Sequence, residues 1–191
     1  MPELVTRTLE AYKYDELSET AKDRIRNRVS EQDTEIETEN LTEHFAYLLS
    51  ESAPYFTNPK FQWSLGHCQG DGLSFSCDID LELYLKDKKV KRVDALLNYV
   101  TIKSKGNTGR YCYAARSDFE SEIHSYRYLP HFEKLVETIK SEIKDKYMEL
   151  CSEFEKYGYE AYENLRSDEY VKQSIEDRLF DSYGDFIPDN D

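Results

Sequence analysis

The chain has 191 residues and a formal net charge of −14 at pH 7, from 39 acidic and 25 basic side chains. Aromatic residues make up 14% of it, a content that an intrinsically disordered chain would lack. The length predicts a single domain over residues 1–191. Within it we expect a helical N-terminal part at 1–60, an antiparallel sheet at 61–130 and acidic C-terminal helices at 131–191.

The N-terminal part begins with a predicted helix over 19–29. Ser18 precedes apolar residues spaced four apart, at Ala21, Ile25 and Val29, which is the pattern of a capped amphipathic helix. A second helix is expected to begin at Asn40 or Thr42, and Pro54 ends it.

The segment between these two helices carries an acid at every second position. In an extended chain these carboxylates would recur about every 6.6–7 Å along one side. The five residues are Glu31, Asp33, Glu35, Glu37 and Glu39.

A period of two begins at Phe61, which predicts a strand with Phe61, Trp63 and Leu65 on one face. After the turn at 69–72, a second strand is predicted to pair with it as an antiparallel hairpin. Its core face comprises Leu73, Phe75, Cys77, Ile79, Leu81 and Leu83. Its wet face comprises Ser74, Ser76, Asp78, Asp80, Glu82 and Tyr84.

The rest of the sheet region is less regular. The stretch 86–97 fits either a short helix or a loop. Two further strands are predicted at 98–103 and 110–115 around a glycine-containing turn, and 120–128 is a candidate fifth strand.

After Pro130 the apolar period returns to 3.6, which predicts a long helix, with Gly158 as a candidate bend. Its apolar stripe is predicted to comprise Leu135, Ile139, Ile143, Tyr147, Leu150, Phe154, Tyr162 and Leu165. Ser167 then caps a further helix. Its inward residues are predicted to be Val171, Ile175 and Leu179. The fold class is therefore α+β: an antiparallel sheet of three to five strands flanked by N-terminal helices and long C-terminal helices.

The sequence shows neither a membrane span nor a signal peptide, and this predicts where the protein is located. No run approaches the roughly 20 apolar residues of a membrane span, and Met1 to Val5 lack the pattern of a signal peptide. Cys68, Cys77, Cys112 and Cys151 form no C-x-x-C pair, so buried, reduced thiols are expected rather than a zinc site. We therefore predict a cytoplasmic protein with no membrane partner.

The hairpin region offers the only candidate small-ligand site. Gln69 and Asp71 lie in a Gly-containing turn, where they either shape the turn or are presented to a partner or ligand. His67 lies nearby, and Asp78, Asp80 and Glu82 would share one strand face. Ordinary alternation on a half-wet sheet also explains these carboxylates, so we expect no metal. No nucleophile, base or cofactor pattern points to a catalytic residue, and we expect no enzyme and no cofactor.

A basic cluster interrupts the acidic sequence at Lys86, Lys88, Lys89, Lys91 and Arg92. It could form a nucleic-acid patch. The net charge of −14 would repel a polyanion, however, so contact with an acidic surface is favoured and direct nucleic-acid binding is not expected.

Repeated carboxylates on one face can instead imitate a phosphate backbone. The N-terminal acids at 31–39 would form one such row. The long helix supplies a second, with members three, four or seven residues apart. These are Glu149, Glu153, Glu160 and Glu163. A generally acidic, solvated surface explains the same residues without any partner.

Several short motifs resemble a family of small phage and prophage proteins that are often labelled antitoxin-like. The most specific is Q-G-D-G at 69–72 followed by Ser74-Phe75. The chain departs from the family pattern at 66–68, where the family has a more uniform Ser/Tyr strand. The other matching segments are 14–18 with Ala21-Lys22, 63–65, 157–160 and 167–169. The resemblance implies a viral accessory protein that acts on a host macromolecule in the host cytoplasm, and it implies no reaction.

We therefore expect a non-enzymatic phage protein that binds and inhibits a host defence nucleoprotein or nuclease, as an anti-CRISPR protein does. Its partner would present a basic nucleic-acid-binding surface. One alternative is an antitoxin-like protein that neutralises a toxin through an apolar interface. Another is a small-ligand or metal-binding protein at the 67–82 hairpin.

Overall fold

A computed structural model of the chain describes residues 10–66, 68–89, 97, 100–106, 111–124 and 130–188. The helices are α1 (Glu19–Ser52), α2 (Leu81–Asp87), α3 (Pro130–Leu165) and α4 (Asp168–Ile175), and the strands are β1 (Phe56–Ser64), β2 (Gly72–Ile79), β3 (Val100–Gly106) and β4 (Asp118–Ile123). These elements confirm the α+β class, with an antiparallel sheet between an N-terminal helix and a long C-terminal helix.

The chain divides into two compact units. Residues 40–159 form the sheet unit, and residues 1–39 with 160–191 form the terminal unit. This division does not test independent folding, so the single domain stays a prediction.

The predicted β1–β2 hairpin is confirmed, with Phe61 opposite Phe75 and Trp63 opposite Leu73. β1 begins at Phe56, five residues before the predicted start and inside the part predicted to be helical. The register shifts between Thr57 and Lys60, where Asn58 adopts a φ of 52°. Because of this irregularity, the sequence does not show a period of two at the start of the strand.

The prediction that β2 continues to Tyr84 is wrong. The strand ends at Ile79, and the Asp80 carboxylate accepts a hydrogen bond from the N–H of Leu83 at 2.9 Å, which caps α2. The same residues also fit a helical period, because Leu81, Tyr84 and Leu85 lie on one face and are buried. Leu83, predicted to face the core, is exposed, and Ile79 is half-buried.

Among the described residues the sheet has four strands in the order β1-β2-β3-β4, all antiparallel. The predicted strand at 110–115 is wrong where the structure describes it: residues 111–113 are irregular and Ala114–Arg116 form a 3-10 helix. The N–H of Cys112 instead donates to the carbonyl of Gly70 at 3.3 Å. The last strand, β4, begins two residues before the predicted 120–128, and residues 125–128 lie outside the described part.

The sheet unit has an aromatic core. The rings of Phe45 and Phe154, from α1 and α3, stack with centroids 5.5 Å apart. Phe75 and Tyr147 bring their ring centroids to 4.5 Å. Each fully buried ring of this size stabilises the fold by about 1.5–3 kcal/mol. Burial of Ile139, Ile143, Tyr147, Leu150 and Phe154 confirms the predicted α3 stripe, whereas Leu135 is exposed.

The terminal unit has its own apolar core, in which Val171 and Phe180 are fully buried. The other buried members are Tyr14, Leu17, Ala21, Ile25, Val29 and Ile175. Both predicted serine caps are confirmed: Ser18 accepts from the N–H of Ala21 at 3.3 Å, and Ser167 accepts from the N–H of Tyr170 at 3.2 Å. Leu179 was predicted to face inward and is exposed.

Candidate functional site: the acidic helix faces

The acids at 31–39 do not lie in an extended connector, because α1 is one unbroken helix. Residues 19–52 contain neither glycine nor proline, and glutamate is a good helix former, so nothing interrupts the backbone ladder. Successive helical residues rotate by about 100°, so alternating acids spread around the axis instead of sharing one side. The predicted extended row is wrong.

Folding leaves only part of the N-terminal row available to a partner. Glu31 and Glu39 are exposed, and Asp33 and Glu37 are half-buried. Positions 31, 35 and 39 follow one line along the helix, in steps of about 6 Å. The side chain of Glu35 lies outside the described side chains.

Asp33 has an internal role in the terminal unit. Its carboxylate accepts a hydrogen bond from the hydroxyl of Tyr170 at 2.8 Å. The pKa of Tyr170 is raised above its ordinary value, mainly by burial and next by this hydrogen bond. Asp33 therefore holds α4 against α1 and is not a free contact residue.

The second predicted row lies on α3, and all four members are exposed. Glu149 and Glu153 belong to the sheet unit, one helical turn apart. Glu160 and Glu163 belong to the terminal unit, three residues apart. Lys146 approaches Glu149 to 2.7 Å at the surface, and a pair as exposed as this is weak.

Asp71 organises the hairpin turn. Its carboxylate accepts hydrogen bonds from the Ser64 hydroxyl and the Cys68 N–H, both at 2.8 Å, and from the Cys68 thiol at 3.1 Å. Burial would raise the pKa of Asp71, but the hydrogen bonds from Cys68 and Ser64 outweigh it and lower that pKa. These contacts support the structural interpretation of Asp71. Gln69 is exposed beside it, and His67 lies outside the described residues.

An aromatic group that the sequence pattern does not predict packs against this turn. Gly70 has a φ of +108°, and a Cβ on it would lie 2.2 Å from Cδ1 of Tyr111, so the ring packs directly on the glycine. The Arg116 guanidinium lies over the rings of Tyr111 and Tyr113, 5.3 and 5.5 Å from their centroids. No local pattern in the sequence indicates that Tyr111 packs on Gly70.

The carboxylates proposed for a metal site diverge. Asp78 accepts from the Asn58 side-chain amide at 2.9 Å, Asp80 caps α2, and Glu82 pairs with Lys86 at 2.5 Å. The chain changes from strand to helix at residue 80, which turns Glu82 away from the strand face. Within the described residues, no three His, Cys, Asp or Glu side chains are grouped to hold a metal ion.

Two lysines of the basic cluster at 86–92 contact neighbouring side chains. Lys86 pairs with Glu82, and the ammonium group of Lys88 lies 5.9 Å from the ring centroid of Tyr84. Lys91 and Arg92 lie outside the described residues.

The thiols differ in exposure. Cys77, Cys112 and Cys151 are buried and free, as predicted, but Cys68 is exposed. Burial raises the pKa of Cys77 and of Cys151 to about 12, which makes both poor nucleophiles.

A second aromatic feature, also missed from sequence, lies on the helices of the sheet unit. The rings of His44 on α1 and Tyr157 on α3 stack with centroids 4.6 Å apart. Tyr47 lies next to His44, with a centroid distance of 6.3 Å. The three residues are hereafter the His44 patch. Residues 44 and 157 are 113 positions apart, so only the folded chain reveals their contact.

Comparisons with family models, with curated proteins and with solved structures give no match. No helix in the described part of the chain has the length and apolar character needed to cross a membrane.

Proposed function

We propose that this is a non-enzymatic viral accessory protein that binds and inhibits a host defence nucleoprotein or nuclease. Its acidic helices would occupy a basic surface that the host protein uses for DNA or RNA. The inhibitor would therefore act by competition, without a chemical step.

One observation carries the proposal: six predicted contact carboxylates remain exposed after folding, on two long helices. They are Glu31, Glu39, Glu149, Glu153, Glu160 and Glu163. The helical rise places Glu149 about 6 Å from Glu153 along α3, and Glu31 about 12 Å from Glu39 along α1. Each helix therefore presents negative charges in a row, as a phosphate backbone does. A net charge of −14 adds long-range attraction to a basic groove, which raises the association rate.

An antitoxin-like function is the second candidate, and one observation favours it. Two tyrosines are among the most exposed large hydrophobic side chains of the described residues: Tyr47 at 60% and Tyr183 at 67%. Tyrosine is enriched at protein interfaces, and a toxin could be bound through such rings with little help from charge. The two functions therefore differ in their dependence on the carboxylates.

The test uses a panel of purified nucleic-acid-guided defence nucleases, with cleavage of target DNA measured against inhibitor concentration. One variant changes Glu31, Glu39, Glu160 and Glu163 to Gln, and a second changes Glu149 and Glu153. The matched control removes four exposed acids outside the rows. These are Asp87, Glu122, Asp145 and Asp177.

We expect the wild type to inhibit at least one nuclease, with the apparent affinity falling as salt rises. Losing four row charges should weaken inhibition at least tenfold more than losing four control charges. Equal losses in the two proteins would show that net charge acts rather than the rows. Inhibition of no nuclease in the panel, together with neutralisation of a co-expressed toxin, would favour the antitoxin-like function.

A further inference from the structure

The His44 patch is exposed although it lies on two well-packed helices. Tyr47 is 60% exposed and Tyr157 is 41% exposed, and His44 between them is half-buried. Solvent-facing helix positions normally carry polar side chains, so neighbouring exposed aromatic rings indicate a contact surface more strongly than one isolated ring does.

The patch is also held in place before any partner arrives. Tyr157 stacks on His44 at an interplanar angle of 28° and meets the buried Phe45 ring edge-on, with a centroid distance of 6.4 Å. Tyrosine has few rotatable bonds, and these contacts restrict them further. Binding through such rings therefore costs little side-chain entropy.

Carboxylates flank both tyrosines within one helical turn. Glu43 and Glu51 stand four residues before and after Tyr47, and Glu153 stands four residues before Tyr157. All three carboxylates are exposed. Side chains four apart on a helix are neighbours, so each ring has an acid beside it.

The combination of an open aromatic face and an adjacent carboxylate is selective for one kind of cation. An arginine guanidinium is planar and stacks on a ring while its N–H groups donate to a carboxylate. A lysine ammonium group is compact and strongly hydrated, so it gains from the charge but less from the ring. Lys156 is the only Lys or Arg within four residues of either tyrosine, so the local charge is negative.

We infer that the His44 patch is a docking surface for arginine side chains of a protein partner. The inference deepens the proposed function, and rests on it for the class of partner, because arginine is the favoured residue for binding phosphate and nucleic acid. The carboxylates supply attraction at a distance, and the tyrosines supply the preference for arginine over lysine at contact.

The test measures the binding of fluorescein-labelled nona-arginine and nona-lysine to the full chain by anisotropy, at about 150 mM salt. The double variant Tyr47→Gln/Tyr157→Gln removes both rings. Tyr47→Phe/Tyr157→Phe keeps the rings and serves as the conservative variant. Tyr183→Gln is the matched control, because Tyr183 is exposed and lies in the terminal unit. Circular dichroism establishes that each variant is folded.

We expect the wild type to bind nona-arginine more tightly than nona-lysine, by about two- to fivefold for each ring engaged. The glutamine variant should lose this preference while retaining its affinity for nona-lysine. The phenylalanine variant and Tyr183→Gln should both keep the preference. Glu43→Gln/Glu153→Gln should weaken the binding of both peptides alike.

Three outcomes would overturn the inference: no binding of either peptide, equal affinities of the wild type for both, or a preference that survives in the glutamine variant. The peptide measurement needs no defence nuclease. A protein that prefers arginine through the patch but inhibits no nuclease would overturn the proposed function and leave the docking surface standing.

Discussion

The hydroxyl of Tyr147 accepts a hydrogen bond from the N–H of Phe75 at 2.9 Å and donates one to the carbonyl of the same residue at 3.0 Å. The Tyr147 hydroxyl has only one proton, and that proton is given to the Phe75 carbonyl. Ser117 therefore donates the hydrogen bond that joins the two hydroxyl groups at 2.7 Å. One buried side chain on α3 thus pairs with both backbone polar groups of Phe75 in β2.

Tyr147→Phe should therefore destabilise the protein by about 1–3 kcal/mol, because it leaves a buried N–H and a buried carbonyl without their partner. Urea unfolding monitored by the fluorescence of Trp63 measures the change. Tyr183→Phe alters an exposed tyrosine and should stay within about 0.5 kcal/mol of the wild type. Equal stabilities of the two variants would mean that the backbone of Phe75 finds another partner.

Gly70→Ala should be costly and Gly66→Ala should not. At Gly70 the φ of +108° and the Tyr111 ring both oppose a Cβ, whereas a Cβ at Gly66 meets nothing within 4 Å. We expect a loss of about 1–3 kcal/mol for Gly70→Ala and less than about 0.5 kcal/mol for Gly66→Ala, by thermal or urea unfolding. A neutral Gly70→Ala would contradict the close approach of Tyr111.

Asp168 should make the terminal unit sensitive to acid. Hydrogen bonds from the Tyr14 hydroxyl, at 2.7 Å, and from Arg26 lower the pKa of Asp168 below its ordinary value of 3.8. A carboxyl whose pKa is lowered in the folded state stabilises that state above the ordinary pKa, and the contribution is lost as the pH falls through the lowered value.

Asp168→Asn should accordingly cost about 0.5–1.5 kcal/mol at neutral pH, a modest figure because the carboxyl is half-exposed. The difference in the free energy of unfolding between variant and wild type should disappear in strong acid. Urea titrations between pH 7 and pH 2 measure it, with Asp177→Asn at an exposed position as the control. A gap that is constant with pH would rule out the carboxylate as its source.

Thiol reactivity should separate Cys68 from the other three cysteines. In the native protein one thiol should react readily with Ellman's reagent, and all four should react after unfolding, because the others are buried. The hydrogen bond from Cys68 to Asp71 raises the pKa of the Cys68 thiol. Asp71→Asn should therefore speed the reaction at pH 7.5, whereas Ser64→Ala, which leaves the carboxylate in place, should change it less.

Local sequence was sufficient to determine several elements. The period of two after Phe61 and the turn at Gly70 specify the β1–β2 hairpin, because an antiparallel pair with a short turn needs only neighbouring residues. The α3 helix and the Ser18 and Ser167 caps follow from apolar spacing and from side chains within one turn of the helix ends. In each case the deciding interactions span only a few positions.

Other features depended on which residues the folded chain brings together. Alternating apolar residues at 79–85 fit both a strand and a helix, and burial of Leu81, Tyr84 and Leu85 selects the helix. The acids at 31–39 alternate as in a strand, yet α1 continues through them because its backbone ladder is uninterrupted. Tertiary packing selects the helix at 79–85, whereas at 31–39 the helix propensity of the residues outweighs the alternation of acids.

The candidate surfaces divide in the same way. Composition and spacing identified the acidic residues, because each carboxylate carries its charge whatever residues surround it. Only the fold decided which of these residues are exposed. It also decided that Asp33 accepts a hydrogen bond from Tyr170 and that His44 stacks on Tyr157. Those contacts join residues more than a hundred positions apart, and no periodicity along the chain records which distant side chains will meet.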